Sequence, residues 1–118
     1  MTEFKIIEET FGNNEKPTKI VNGVQESMRN GWQPSGDICI SNFSYDDGSG
    51  TTWIAQSMLK TPGNIIEYIL VRVCAGKSIE VENYLLKGYE LFGSIKSVGR
   101  GLYYQVVIKR MHLIPEIL

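Results

Sequence analysis

Residues Val24–Ile38 read VQESMRNGWQPSGDI, and residues Val81–Ile95 read VENYLLKGYELFGSI. At a constant offset Met28 meets Leu85, Gly31 meets Gly88, Trp32 meets Tyr89, Gly36 meets Gly93 and Ile38 meets Ile95. The matches are glycines and large apolar residues, which backbone geometry and packing constrain most. Such self-similarity marks a repeated supersecondary unit. Upstream, Phe4-Lys5-Ile6-Ile7 corresponds to Tyr68-Ile69-Leu70-Val71. Downstream, Trp53-Ile54-Ala55-Gln56-Ser57-Met58-Leu59-Lys60 corresponds to Leu102-Tyr103-Tyr104-Gln105-Val106-Val107-Ile108-Lys109. The expected organisation is one domain of two repeats, 4–60 and 65–111, with a linker at 61–64 and a docking tail at 112–118. The linker is Thr61-Pro62-Gly63-Asn64, where proline and glycine punctuate the chain.

Each repeat reads as β-α-β-β. Phe4–Thr10 and Glu67–Val73 are rich in β-branched and aromatic residues and predict strands. Ile20, Val24 and Met28 recur every four residues, as do Val81 and Leu85, so each set shares one helix face. Ser78 is placed to cap the second helix. Gly31 and Gly88 stop the helices, since glycine accepts the left-handed conformation beyond a helix end. A hairpin follows, with arms near Trp32–Asn42 and Thr52–Lys60, or Tyr89–Val98 and Leu102–Arg110. The fold class predicted is α+β: duplicated β-α-β-β units forming an antiparallel sheet of about six strands, with two helices packed on one face. Ile69, Val71 and Val73 alternate with Tyr68 and Leu70, so both faces of that strand need cover. Sheet-to-sheet packing between subunits is the simplest cover, which predicts a homo-oligomer.

Composition narrows the classes. The chain has 118 residues, enough for one core and too few for two domains of ordinary size. Twelve Lys and Arg against 13 Asp and Glu give a net charge of -1, so nucleic acid is not an expected partner. No stretch approaches the ~20 apolar residues of a membrane helix, and MTEFKIIEET is no secretory signal. Cys39 and Cys74 fall in predicted strands and read as buried, reduced thiols. The expected location is cytoplasmic, the host cytoplasm if the chain is phage-encoded.

Motifs for chemistry are sparse. Ala75-Gly76-Lys77-Ser78 lacks the earlier glycine of a phosphate loop, since Val71 stands there. Asp46-Asp47-Gly48-Ser49-Gly50 lacks the closing glutamate of a calcium loop. Glu8 and Glu9 are sequence neighbours on a strand and so face opposite ways. His112 is the sole histidine. No catalytic residue, metal site or cofactor is therefore expected. The loop Asn42–Thr51, the longest difference between the repeats, is a candidate lid carrying Tyr45. Arg100 tips a tight hairpin, where it could clamp a phosphate. Gln56 and Gln105 are related by the repeat and lie mid-strand among apolar residues, where each needs a polar partner. That partner is a backbone group, another subunit or a ligand. Trp53, Tyr103 and Tyr104 offer flat surfaces suited to stacking on a base or to subunit packing. The candidate ligand-binding set is Tyr45, Trp53, Gln56, Arg100, Tyr103 and Gln105.

The segment VNGVQESMRNGWQPSGDICIS, followed by IAQSMLK, resembles the small bacterial and phage domain of unknown function catalogued under number 1737. That family joins an aromatic-led first strand, a short helix, a Gly-Trp step, a hairpin glycine and a Gln-Ala-Met-like ending. Here these are Phe4, Val21 to Asn30, Gly31-Trp32, Gly36 and Gln56-Ser57-Met58, with a looser second copy at Gly88-Tyr89, Gly93 and Gln105-Val106-Val107. The family carries no established catalytic residues. The resemblance implies a phage setting, in which compact proteins often act on host processes. The expected function is a non-catalytic phage binding protein that sequesters a small nucleotide-derived immune signalling molecule. The alternatives are a protein-interaction module that inhibits or adapts a host protein, and a self-associating structural accessory protein.

Overall fold

The alternating strand Glu3–Gly12 (β1) pairs antiparallel with Gly50–Lys60 (β4) along its whole length, from Glu3 opposite Lys60 to Gly12 opposite Thr51. The computed structural model describes residues 3–12, 15–44, 50–99 and 101–111. Between these strands lie a helix, Thr18–Arg29 (α1), and two short strands, Trp32–Pro34 (β2) and Cys39–Ser44 (β3). The second half runs Ile65–Cys74 (β5), Ile79–Leu86 (α2), Glu90–Gly99 (β6) and Leu102–Arg110 (β7). Thr61–Asn64 lies outside any strand, between β4 and β5.

The described residues are α+β, with two helices and seven strands in two antiparallel sheets. This corrects the expectation of about six strands in one sheet. In the first sheet β4 lies between β1 and the pair β2 and β3. The second has the order β5-β7-β6. The extra strand arises because the expected arm Trp32–Asn42 is interrupted. Pro34 has no N–H to extend a ladder, and Gly36 turns the chain with φ 75°. Gly31 and Gly88, expected in the left-handed region, have φ 91° and 94°.

α1 lies against β1, β2, β4 and also β5, whereas α2 lies against β5, β6 and β7. Ile20 and Val24 of α1 are fully buried with Ile54 and Met58 of β4 and Tyr68, Val106 and Ile108 of the second sheet. A close approach seats the helix: a Cβ at Gly23 would come within 2.8 Å of Ile7 Cγ2. Val71, Val73 and Val107 form a smaller cluster with Val81 and Tyr84 of α2. Both faces of β5 are therefore covered within the chain, Tyr68 and Leu70 by the main core and Val71 and Val73 on the α2 side. No partner subunit is needed there, contrary to expectation.

Polar contacts join the halves. The Gln33 amide accepts from Ile65 N at 3.0 Å and donates to Ile65 O at 3.2 Å. Asp37 accepts from Ser94 Oγ at 3.0 Å and Lys96 Nζ at 3.2 Å. Those bonds from Lys96 and Ser94 hold the Asp37 carboxyl below its ordinary range. Asn42 Nδ2 donates to Val98 O at 2.9 Å.

Two local expectations change. Cys39 and Cys74 are free but exposed, not buried. Cys39 lies opposite Ala55, on the side of the first sheet away from the core, and Cys74 ends β5. Ser78 precedes α2 but makes no side-chain cap; its hydroxyl bonds to the Glu82 carboxylate at 3.3 Å. No helix among the described residues is long and apolar enough to cross a membrane.

Candidate functional site

The site is built where the first helix meets the second sheet. Arg72 of β5 and Tyr104 of β7 stand directly opposite in the antiparallel register. Opposed residues project to the same face, so the guanidinium and the phenol share one surface. That face also carries Leu70, and it looks toward α1. The Tyr104 ring is fixed by Phe11 of β1, edge to face at 6.1 Å between centroids. Tyr104 is only 4% exposed.

A cavity of about 270 Å³ opens here between α1 and the second sheet. Pro17, Val21, Ile69 and Leu70 give it an apolar wall. Lys16, Thr18, Asn22, Arg72 and Tyr104 supply its polar groups. The first turn of α1 carries no acidic residue, and its cap position, Pro17, makes no side-chain bond. Instead Glu9 Oε1 of β1 accepts the Ile20 amide at 2.9 Å, so a carboxylate of the chain already serves that end of the helix. Burial pushes the Tyr104 phenol above its ordinary pKa, against the opposing pull of Arg72. The hydroxyl is therefore a protonated donor at neutral pH.

The chain matches no family model, no curated protein and no solved structure.

Of the residues expected to bind a ligand, the four described do not share one site. Tyr45 and Arg100 lie outside the described residues, as do His112 and the 112–118 tail. Of the loop expected at Asn42–Thr51, Asn42 and Phe43 belong to β3 and Thr51 to β4. Trp53 stands opposite Thr10, on the side of the first sheet away from the core, and its Nε1 donates to Glu8 Oε2 at 3.1 Å. Gln56 is fully buried, on the opposite side from Trp53. Its Nε2 donates to the carbonyls of Ser35, Gly36 and Ser57 at 3.1–3.3 Å, and its Oε1 accepts from Tyr68 at 2.8 Å. Gln105 donates to the carbonyls of Gly93 and Val106 at 3.2 and 2.9 Å. Both glutamines thus have the backbone partners that the sequence left as one option. Tyr103 is half-buried against the α2 cluster.

Lys16 and Arg72 were not singled out from sequence, whereas Tyr104 was read there only as a flat surface. One signal was present: Tyr68, Leu70 and Arg72 share a period of two, so Arg72 puts a cation on an apolar strand face. Two further hollows flank Met28, of about 350 Å³ beside Lys60 and Pro62 and about 240 Å³ beside Arg29 and Ile66. Both open more widely to solvent than the Arg72 cavity.

On the α2 side, Tyr89 packs edge to face on Tyr84 at 5.1 Å and donates its hydroxyl to Glu67. The Glu67 carboxylate, by accepting that hydrogen, pushes Tyr89 up to about 12. That pair is tied within the second half and does not line the Arg72 cavity.

Proposed function

We propose that this chain is a duplicated β-α-β-β protein that captures a small nucleotide-derived molecule in the cavity between its halves and releases it unchanged. The observation that carries the reading is the cavity itself: an apolar wall facing Arg72 and Tyr104 at the junction of α1 with the second sheet. Small-ligand sites combine an apolar surface with a few placed polar groups. Among the described residues the polar lining consists of Lys16, Thr18, Asn22, Arg72 and Tyr104. These groups hold an anion, but they include no carboxylate or imidazole to act as general base. In the phage setting implied by the family resemblance, such capture would blunt a host immune signal.

Matching registers support the duplication. Ile7 faces Gln56 as Val71 faces Gln105, and Phe4 faces Leu59 as Tyr68 faces Ile108. Each glutamine donates to the carbonyl of a left-handed glycine, Gly36 with φ 75° or Gly93 with φ 74°.

The test is a thermal-shift titration with cyclic mono- and dinucleotides and cyclic ADP-ribose isomers, followed by heat release and mass spectrometry. One member of the panel is expected to stabilise the fold, by about 2.7 kcal/mol at a hundredfold excess over Kd, and to be recovered intact. Product formation would make the chain an enzyme. No shift with any member would leave the cavity without its proposed occupant.

A second reading, self-association, is favoured by one surface. Phe4 and Ile6 are 60% and 52% exposed, although their counterparts under the duplication, Tyr68 and Leu70, pack in the core. Phe43, 55% exposed, adds to the same side of the first sheet. An apolar sheet face of this kind suits packing against its own copy. Light scattering should show a dimer or larger species that Ile6→Asp converts to monomer. A native chain monomeric at every concentration would remove this reading, and a stoichiometric protein captured from host lysate would favour the interaction-module alternative.

A further inference from the structure

We infer that the ligand carries a phosphate held by Arg72 and Tyr104, with Lys16 contributing at the rim, and lays a ring against Val21 and Leu70. The inference rests on the cavity being the ligand site.

Tyr104 lines the cavity, and Arg72 stands directly across the strand pair from it. That register puts the phenol and the guanidinium on one face, where both present donors to a single ligand and decide what kind of acceptor it offers. A neutral carbonyl would satisfy the phenol but not the guanidinium. An anionic oxygen satisfies both, and charge-assisted bonds to arginine are the stronger and more directional kind.

The start of α1 does not compete for this anion. Glu9 already accepts the Ile20 amide, so recognition falls to side chains and not to helix amides. Lys16 adds a second cation to the cavity lining. Among the described residues no carboxylate lines the cavity to repel the anion. Size sets the remainder of the ligand. A volume of about 270 Å³ sits just below the ordinary range of small-ligand sites. It suits one ring and one phosphate, with any larger portion left outside.

The experiment is calorimetric titration of the native chain with adenosine, guanosine, cytidine and uridine, each beside its 5′-monophosphate. At least one monophosphate is expected to bind about tenfold or more tighter than its nucleoside, the scale of one charge-assisted contact. Arg72→Gln should reduce that ratio to about threefold or less while leaving nucleoside affinity within about twofold. Tyr104→Phe should reduce it by a smaller factor. The native ratio decides the matter even if a variant fails to fold. Equal affinity for nucleoside and monophosphate overturns the phosphate inference and leaves the cavity as a ligand site. Binding of neither, together with a silent panel of larger nucleotides, overturns both.

Discussion

Gln56→Leu should destabilise the chain by about 3 kcal/mol, read as a fall in the denaturant midpoint at unchanged slope. Leucine is close to glutamine in volume, so little of this loss is cavity formation. The loss is one of partners. Gln56 is fully buried, and its amide serves the carbonyls of Ser35, Gly36 and Ser57. Its oxygen serves the hydroxyl of Tyr68, which is also fully buried. Each group stranded in the core costs about 1–3 kcal/mol, with incomplete additivity. Tyr68→Phe removes only the hydroxyl and should cost about 1 kcal/mol. The double variant should then be less destabilised than the sum by at least about 1 kcal/mol, because Gln56→Leu no longer strands a phenol. A domain of this size has roughly 5–15 kcal/mol in total, so the effect is a large fraction. A Gln56→Leu midpoint unchanged within error would show that these bonds do not hold the core.

Gly93→Ala should be similarly damaging, and Gly36→Ala is its internal control. Both glycines have nearly the same backbone, φ 74° and 75°. An alanine in this region costs about 1 kcal/mol through its Cβ. Gly36 has open space where the Cβ would go, so its substitution should cost little beyond that. At Gly93 the added carbon would lie 2.3 Å from Asp37 Oδ1 and 3.3 Å from the Asp37 Cα. The carboxylate must move, which breaks its bonds to Ser94 and Lys96 and loosens the clasp between the halves. The expected loss is about 2–3 kcal/mol, so two positions with one backbone conformation should differ by at least about 1 kcal/mol. Parallel thermal melts of the two alanine variants measure the difference. Equal losses would mean that conformation alone sets both.

The elements were legible because their signals are local. Period-four apolar spacing marked α1 through Ile20 and Val24, and the glycines marked where the chain reverses. The division into two sheets was not legible. Tyr68, Leu70, Val71 and Val73 announce that both faces of β5 need cover, but no local pattern says whether the cover is the first half of the same chain or another molecule. The placement of Trp53 and Gln56 was hidden for a related reason. Strand neighbours three apart point opposite ways, so Trp53 and Gln56 could not meet in one site. Arg72 and Tyr104 come together only through strand register, and Val21 joins them only because α1 crosses to the second sheet. Sequence spacing carries no trace of that crossing.

The position of β4 and β7 bears on how the chain is made. In each sheet the strand synthesised last lies between those synthesised before it, so the earlier strands have no ladder to join until it arrives. As the nascent chain leaves the ribosome, its first half cannot close before residues near Lys60 emerge, nor its second before those near Arg110. Until then β1 and β5 wait with apolar side chains bare, and a stalled or shortened translation product would present sticky edges to chaperones and to its own kind.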